Sequence, residues 1–197
     1  TSGTNFDSTA YAYDGMGRLI RTEAPHGTIW RTEYDKRGNV IARLVGTNDN
    51  GLEGGMTSGT YNMVQTDGTA FDANGRPTST TAYLTSTVGT PSRVTSYTLD
   101  LRGRRVLTTN PTAPHELAKF DNLGRRTAVG MYSSASGLSA SSNPLSVTSG
   151  RMALSETLHN ERGQAWKTVH HKIDATDGSD DDTLESLTWF DEMGRVV

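Results

Sequence analysis

The chain has 197 residues, 19 Lys and Arg against 22 Asp and Glu, a net charge of -3 and no cysteine. Those figures give no basic surplus for nucleic acid, no acidic tail, no disulfide framework and no thiolate metal site. Val, Leu, Ile and Phe supply only 34 residues, below the ~20% under which a chain of high net charge is disordered, but the net charge here is low. A thin β-layer that completes its burial against neighbouring repeats would show such a shortage. No apolar run approaches the ~18–20 residues of a membrane span, and no signal peptide opens the chain. The chain starts at Thr1 and stops at Val197, just past a repeated motif, and is expected to be an excerpt of a longer polypeptide.

Taken in chain order, one motif recurs. Tyr13-Asp14-Gly15-Met16-Gly17-Arg18 is followed by Tyr34-Asp35-Lys36-Arg37-Gly38-Asn39 and Phe71-Asp72-Ala73-Asn74-Gly75-Arg76. Next come Leu99-Asp100-Leu101-Arg102-Gly103-Arg104 and Phe120-Asp121-Asn122-Leu123-Gly124-Arg125. A degenerate copy, His159-Asn160-Glu161-Arg162-Gly163-Gln164, precedes the last, Phe190-Asp191-Glu192-Met193-Gly194-Arg195. Asp opening a type I turn accepts N–H bonds from the residues ahead of it. Gly three residues later takes φ > 0 without a Cβ clash and closes a hairpin with a bulge. Asn160 can act as Asp does. The predicted turn residues are therefore Asp14, Gly17, Asp35, Gly38, Asp72, Gly75, Asp100, Gly103, Asp121, Gly124, Asn160, Gly163, Asp191 and Gly194.

The flanks read as strands: Trp30, Thr32 and Tyr34 alternate with polar neighbours, as do Met152, Leu154 and Leu158. Successive motif carboxylates or amides are 21, 37, 28, 21, 39 and 31 residues apart. The 21-residue unit is strand, turn, strand, turn, with Pro25-His26-Gly27 as the second connection. Longer units enlarge that second connection into loops at 46–67, 86–91, 133–150 and 174–183, rich in Gly, Ser, Thr, Asn and Asp. Two strands per unit put the tight turns on one sheet edge. The loops around Gly54, Gly89, Ser136 and Asp180 then gather on the other, where ligand or cation contacts are expected. The predicted fold is all-β: residues 1–197 as one array of antiparallel hairpins forming a continuous curved or spiralling sheet.

Aromatic-Asp-x-x-Gly-Arg at 21-residue spacing, with Pro25-His26-Gly27-Thr28 between copies, resembles the YD repeat of RHS proteins. Tyr13 to Val40 matches that pattern most closely, and the seven copies extend the resemblance along the chain. The resemblance implies a β-shell segment from a bacterial RHS or wall-associated protein, a toxin-complex shell subunit or a teneurin-like shell. Such a shell encloses a C-terminal toxic polypeptide in many bacterial members and serves contact or adhesion in others. It also implies an extracellular or cell-surface location. The self-cleaving segment of RHS cores carries an Asp-Pro-x-Gly motif; no Asp-Pro dipeptide occurs here.

Other chemistry is sparse. The motif carboxylates are placed as turn residues rather than catalytic acids. Arg18, Arg76, Arg104, Arg125 and Arg195 are expected to pair with acidic groups of neighbouring repeats or to lie over aromatics. Asp174, Asp177, Asp180, Asp181 and Asp182 are the place to seek a cation. Their spacing does not make an EF-hand loop, and a solvated acidic loop is the expectation; Asn48-Asp49-Asn50-Gly51 is read the same way. His170 and His171 are adjacent, so on a strand they face opposite ways. No nucleophile elbow, P-loop or His-x-x-x-His occurs, and no pair of carboxylates can be nominated for a glycosidase. No enzyme activity, cofactor or metal is expected. The expected function is a structural scaffold, a β-shell segment that either encapsulates a toxin-like C-terminal polypeptide or builds a large cell-surface protein, its partners being neighbouring repeats of the same polypeptide and, in the first case, the enclosed one. The alternative is an adhesion module holding a surface glycan or other ligand in its variable loops.

Overall fold

The computed structural model describes residues 7–51, 61–83 and 93–197. Among them there is no helix, and thirteen antiparallel strands follow one another in sheet order as they do along the chain. The chain divides into two compact units, Thr1–Val94 and Thr95–Val197.

The first unit contains β1 (Ala10–Tyr13), β2 (Leu19–Glu23), β3 (Ile29–Tyr34), β4 (Val40–Gly46), β5 (Val64–Phe71) and β6 (Pro77–Ala82). Each pairs antiparallel with the next. Its core is small: Ile29, Ala42, Leu44 and Met63 are buried, with Tyr61 packed against them. In β3 the buried residue is Ile29, while Trp30 is 46% exposed. The apolar alternation that starts at Trp30 marks the strand but not its inward face, because the returning segment 61–63 covers the Ile29 side.

The second unit contains β7 (Arg93–Leu99) from Thr95 onward, β8 (Arg105–Thr109), β9 (His115–Phe120) and β10 (Arg126–Tyr132). It continues with β11 (Arg151–His159), β12 (Ala165–Ile173) and β13 (Asp180–Leu187). Its strands likewise pair in succession. Leu107, Leu117 and Tyr132 form the core cluster, and Leu138 and Val147 of the β10–β11 loop pack onto it. Both units therefore finish a thin core with residues from their own long connections.

Two loop boundaries differ from the sequence expectation. The loop assigned to 46–67 gives way to β5 at Val64, where Val45 pairs with Val64 and Arg43 reaches Asp67 at 2.9 Å. The loop assigned to 174–183 gives way to β13 at Asp180. Asp is a poor strand former, but cross-strand charges compensate: Lys172 lies 3.4 Å from Asp181, and Lys167 lies 2.6 Å from Glu185. Residues 133–150 connect β10 to β11. The loop at 86–91 with its Gly89, and Gly54 of the loop at 46–67, lie outside the described residues.

Candidate functional site: the turn spine and the loop edge

Every tetrad has the same geometry. The Gly N–H donates to the carbonyl of the opening Asp or Asn, and that residue's N–H donates to the carbonyl four residues on. The seven glycines have φ between 77° and 94°. The residue before the Asp or Asn pairs with the residue six ahead, across a bulge: Tyr13 with Leu19, Tyr34 with Val40 and Phe71 with Pro77. Leu99 with Arg105, Phe120 with Arg126 and His159 with Ala165 repeat this register, and Phe190 with Val196 starts it again.

Asp14 shows the side-chain chemistry. Its Oδ1 accepts the N–H groups of Met16 and Arg18, each at 2.9 Å. Its Oδ2 accepts Nε of Arg18 at 2.6 Å. Asp72, Asp100 and Asp121 repeat the three bonds. Asp35 uses the Asn39 amide in place of Arg. In the sixth copy the pair is neutral: Asn160 Nδ2 donates to Gln164 Oε1 at 2.8 Å.

The arginines differ from the sequence expectation in their acidic partner. Arg18, Arg76, Arg104, Arg125 and Arg195 pair with the Asp of their own tetrad, not with a neighbouring repeat. The four-residue offset across the turn brings guanidinium and carboxylate together locally, before any longer-range partner can compete. What reaches the next repeat is the other end of the guanidinium. Arg18 Nη1 donates to the Asp35 carbonyl at 3.2 Å, and Arg104 Nη1 donates to that of Asp121 at 2.9 Å. The same two guanidiniums lie over the next repeat's ring, 4.5 Å from the Tyr34 centroid and 4.9 Å from that of Phe120. Arg37 donates to Ala73 O, Arg102 to Asn122 O and Arg162 to Glu192 O, while Gln164 donates to Gly194 O. The turn edge of each unit is thus a spine of side chains bonded to the turn after them. The variable turn arginines Arg37, Arg102 and Arg162 were missed at the sequence level, because a long side chain in an exposed turn carries no mark of its acceptor.

A Cβ at Gly17 would meet no atom within 4 Å, so the main cost of a side chain there is the backbone conformation at φ 78°. Gly17→Val should destabilise the protein by roughly 1–3 kcal/mol. A thermal melt within a degree of the parent would contradict this.

Hydrogen bonds hold these carboxyls below the usual Asp range. The backbone N–H of Arg18, Arg76 or Arg195 is the largest cause at Asp14, Asp72 and Asp191, and the Asn39 amide is the largest at Asp35. At Asp100 and Asp121 desolvation pushes upward, and the backbone and side-chain bonds from Arg104 and Arg125 outweigh it. The unfolded chain binds protons on these groups at higher pH than the folded chain does. Their contribution to stability is therefore full above about pH 4 and is lost as pH falls through the lowered folded values. Melting temperature should fall on acidification below pH 4. Amide exchange should show the β11–β12 turn at Asn160 least affected. Equal loosening of that turn would contradict the linkage.

The other connections occupy the opposite edge of each unit. In the first, Ala24 to Gly27 closes β2 to β3, and residues 47–63 join β4 to β5. There Asp49 is buried, and its Oδ2 accepts Nε of Arg21 at 2.9 Å. The expectation of a solvated loop at 48–51 is overturned at this carboxylate, because Arg21 supplies a partner for its charge.

In the second unit, Arg151 organises the loop edge. Its side chain is 2% exposed. Nε donates to Gly178 O at 2.9 Å, Nη1 to Pro144 O at 3.1 Å and Nη2 to Asp180 Oδ1 at 2.6 Å. His171 meets Glu156 Oε1 through Nε2 at 2.9 Å, and its Nδ1 stands 3.3 Å from Asp180 Oδ2 without hydrogen-bond alignment. The five aspartates nominated for a cation are dispersed. Asp174 and Asp177 accept local N–H groups of Thr176 and Ser179. Asp180 faces Arg151, Asp181 faces Lys172, and Asp182 accepts the Thr183 N–H. Among the described residues no group of three or more His, Cys, Asp or Glu side chains is arranged to hold a metal ion. Ser136 lies on the same edge, in the loop whose Leu138 and Val147 reach the core.

Hairpins joined turn to turn by side chains define a repeat array in each unit. No family model matches the sequence, and no curated protein matches it. Among solved structures the chain is similar to the Photorhabdus luminescens Tc holotoxin pore, a TccC3 mutant, at 14% identity and a TM-score of 0.49 over 96% of this chain and 10% of that one. It is similar to TcdB2-TccC3 without its hypervariable C-terminal region at 13% identity and a TM-score of 0.47, over 99% of this chain and 10% of that one. The chain spans about a tenth of the length of each.

Proposed function

We propose that this chain is a structural segment of a larger β-shell, stacking repeats of its own polypeptide around an enclosed polypeptide, and that it performs no catalytic step. One observation carries the reading. The recurring polar side chains are spent on binding one turn to the next, Arg104 on Asp100 and on the Asp121 carbonyl above all. Stability in such an array is a sum of repeat and nearest-neighbour terms, which suits a wall extended by adding hairpins. The motif resemblance to YD repeats supports the same reading and an extracellular or cell-surface setting. Electron microscopy of the intact protein tests it. A hollow particle containing density for non-repeat polypeptide is expected; an extended rod or a solid globule would overturn the proposal.

A further inference from the structure

His171 of β12 sits between carboxylates of the two neighbouring strands, and its side chain is 10% exposed. Nε2 lies 2.9 Å from Glu156 Oε1 on β11, and Nδ1 lies 3.3 Å from Asp180 Oδ2 on β13. A neutral imidazole carries one N–H, so it serves one carboxylate and turns a lone pair to the other. Nδ1 is buried and has no aligned partner, which leaves the Asp180 side of the ring unbonded. An imidazolium carries a donor on each nitrogen and can bond both.

The charge around the ring is unbalanced by one. Glu156 and Asp180 bring two negative charges. Arg151 brings one positive charge, 2.6 Å from the other Asp180 oxygen. Of the remaining charges on the packed elements, Lys167 meets Glu185 and Lys172 meets Asp181. Asp174 and Asp177 are turned to N–H groups of their own loop. The 133–150 connection, which reaches Arg151 through Pro144 O, has no charged residue. A proton on His171 therefore balances the group of Glu156, Asp180 and Arg151. Imidazole is the side chain whose ordinary charge change falls between about pH 5 and 8.

Asp180 is well placed to pass the effect on. It opens β13, where it pairs with Ile173 across a register shift. The guanidinium it holds also bonds the carbonyls of Gly178 and Pro144. We propose that His171 is an acid-closed latch on the loop edge of the second unit. Protonated, it draws Glu156 and Asp180 onto one ring and clamps β11, β12 and β13 together. Neutral, it leaves Asp180 to Arg151 alone, and the start of β13 loosens. The pH dependence is opposite in sign to that of the turn carboxylates. The proton favours the folded edge, so the latch stabilises at the acidic end of this window and its contribution is lost as pH rises. The turn aspartates weaken only below about pH 4. The latch stands apart from the shell reading, since a wall with or without cargo can carry it.

Amide exchange on the intact protein at pH 5.5 and 7.5, corrected for intrinsic rates, reads the latch. Protection of the bonded amides among Asp180–Thr183 should be about fivefold higher at the lower pH. His171→Gln removes the titrating ring and should bring that ratio below about twofold. Asp180→Asn, at a side chain 40% exposed, leaves Glu156 already balanced by Arg151 and should lower the ratio as well. His170→Gln, on the opposite face of the strand, should preserve it. Circular dichroism melts would show that the variants fold. No pH response at Asp180–Thr183 in the parent, or a response that survives both His171→Gln and Asp180→Asn, would overturn the latch without bearing on whether the intact protein forms a hollow particle.

Discussion

Arg151→Met should cost about 2–4 kcal/mol and loosen two loops at once. The estimate comes from what the guanidinium leaves behind. Asp180 is 40% exposed and can take up water, so its loss of a partner is the smaller part. The carbonyls of Gly178 and Pro144 are in buried residues and lose their arginine donor, Pro144 O keeping only the longer bond from the Tyr132 hydroxyl at 3.4 Å. A buried acceptor without a partner costs roughly 1–3 kcal/mol. Asp180→Asn should therefore be milder than Arg151→Met, although both break the same 2.6 Å pair. Equilibrium denaturation of the two variants checks the order. Limited proteolysis should reveal cuts at 133–150 and 174–179 in Arg151→Met before the rest of the chain is digested. Equal stability of the two variants, or an Asp180→Asn that is worse, would mean the ion pair and not the carbonyl bonds holds this edge.

The two edges of the sheet differ in how much of them a sequence can express. On the turn edge every determinant is local. Asp14, Arg18 and Gly17 lie within five consecutive residues, their bonds close inside that window, and the motif spells the geometry. Asn160 was readable as an Asp substitute for the same reason. The hairpin array was legible because an even number of strands separates the tight turns. The loop edge is built from distant partners. Arg151 meets Asp180 across 29 residues, and Arg21 meets Asp49 across 28. A charged residue in a strand reads as a solvent-facing one, since nothing nearby announces that two loops will fold over it. Asp180 to Asp182 read as loop because their strand character comes from Lys172 and the pairing with β12. The exposure of Trp30 and Trp166 was illegible too, because period-two alternation gives the faces of a strand without saying which one a loop will cover.

Tyr132→Ala should destabilise the protein by about 3–5 kcal/mol, the larger share of it in the β10–β11 loop. The ring is fully buried and touches Leu107, Leu117 and the two loop residues Leu138 and Val147. Its hydroxyl donates to Val147 O at 3.1 Å. Tyr132→Phe keeps the ring and loses only the hydroxyl, which also stands 3.4 Å from Pro144 O, for about 0.5–1.5 kcal/mol. The gap between the two variants separates packing from hydrogen bonding. Gly130 extends the test. A Cβ there would stand 2.7 Å from the Tyr132 ring, so the ring occupies the space that the missing side chain leaves on the strand. Gly130→Ala should therefore be costly beside Tyr132 and nearly harmless in the Tyr132→Ala background, where the methyl enters the cavity. A double-mutant cycle measures that coupling. Additive effects of the two changes would show that Gly130 is needed for some reason other than the ring, and that the loop is not held down by this one side chain.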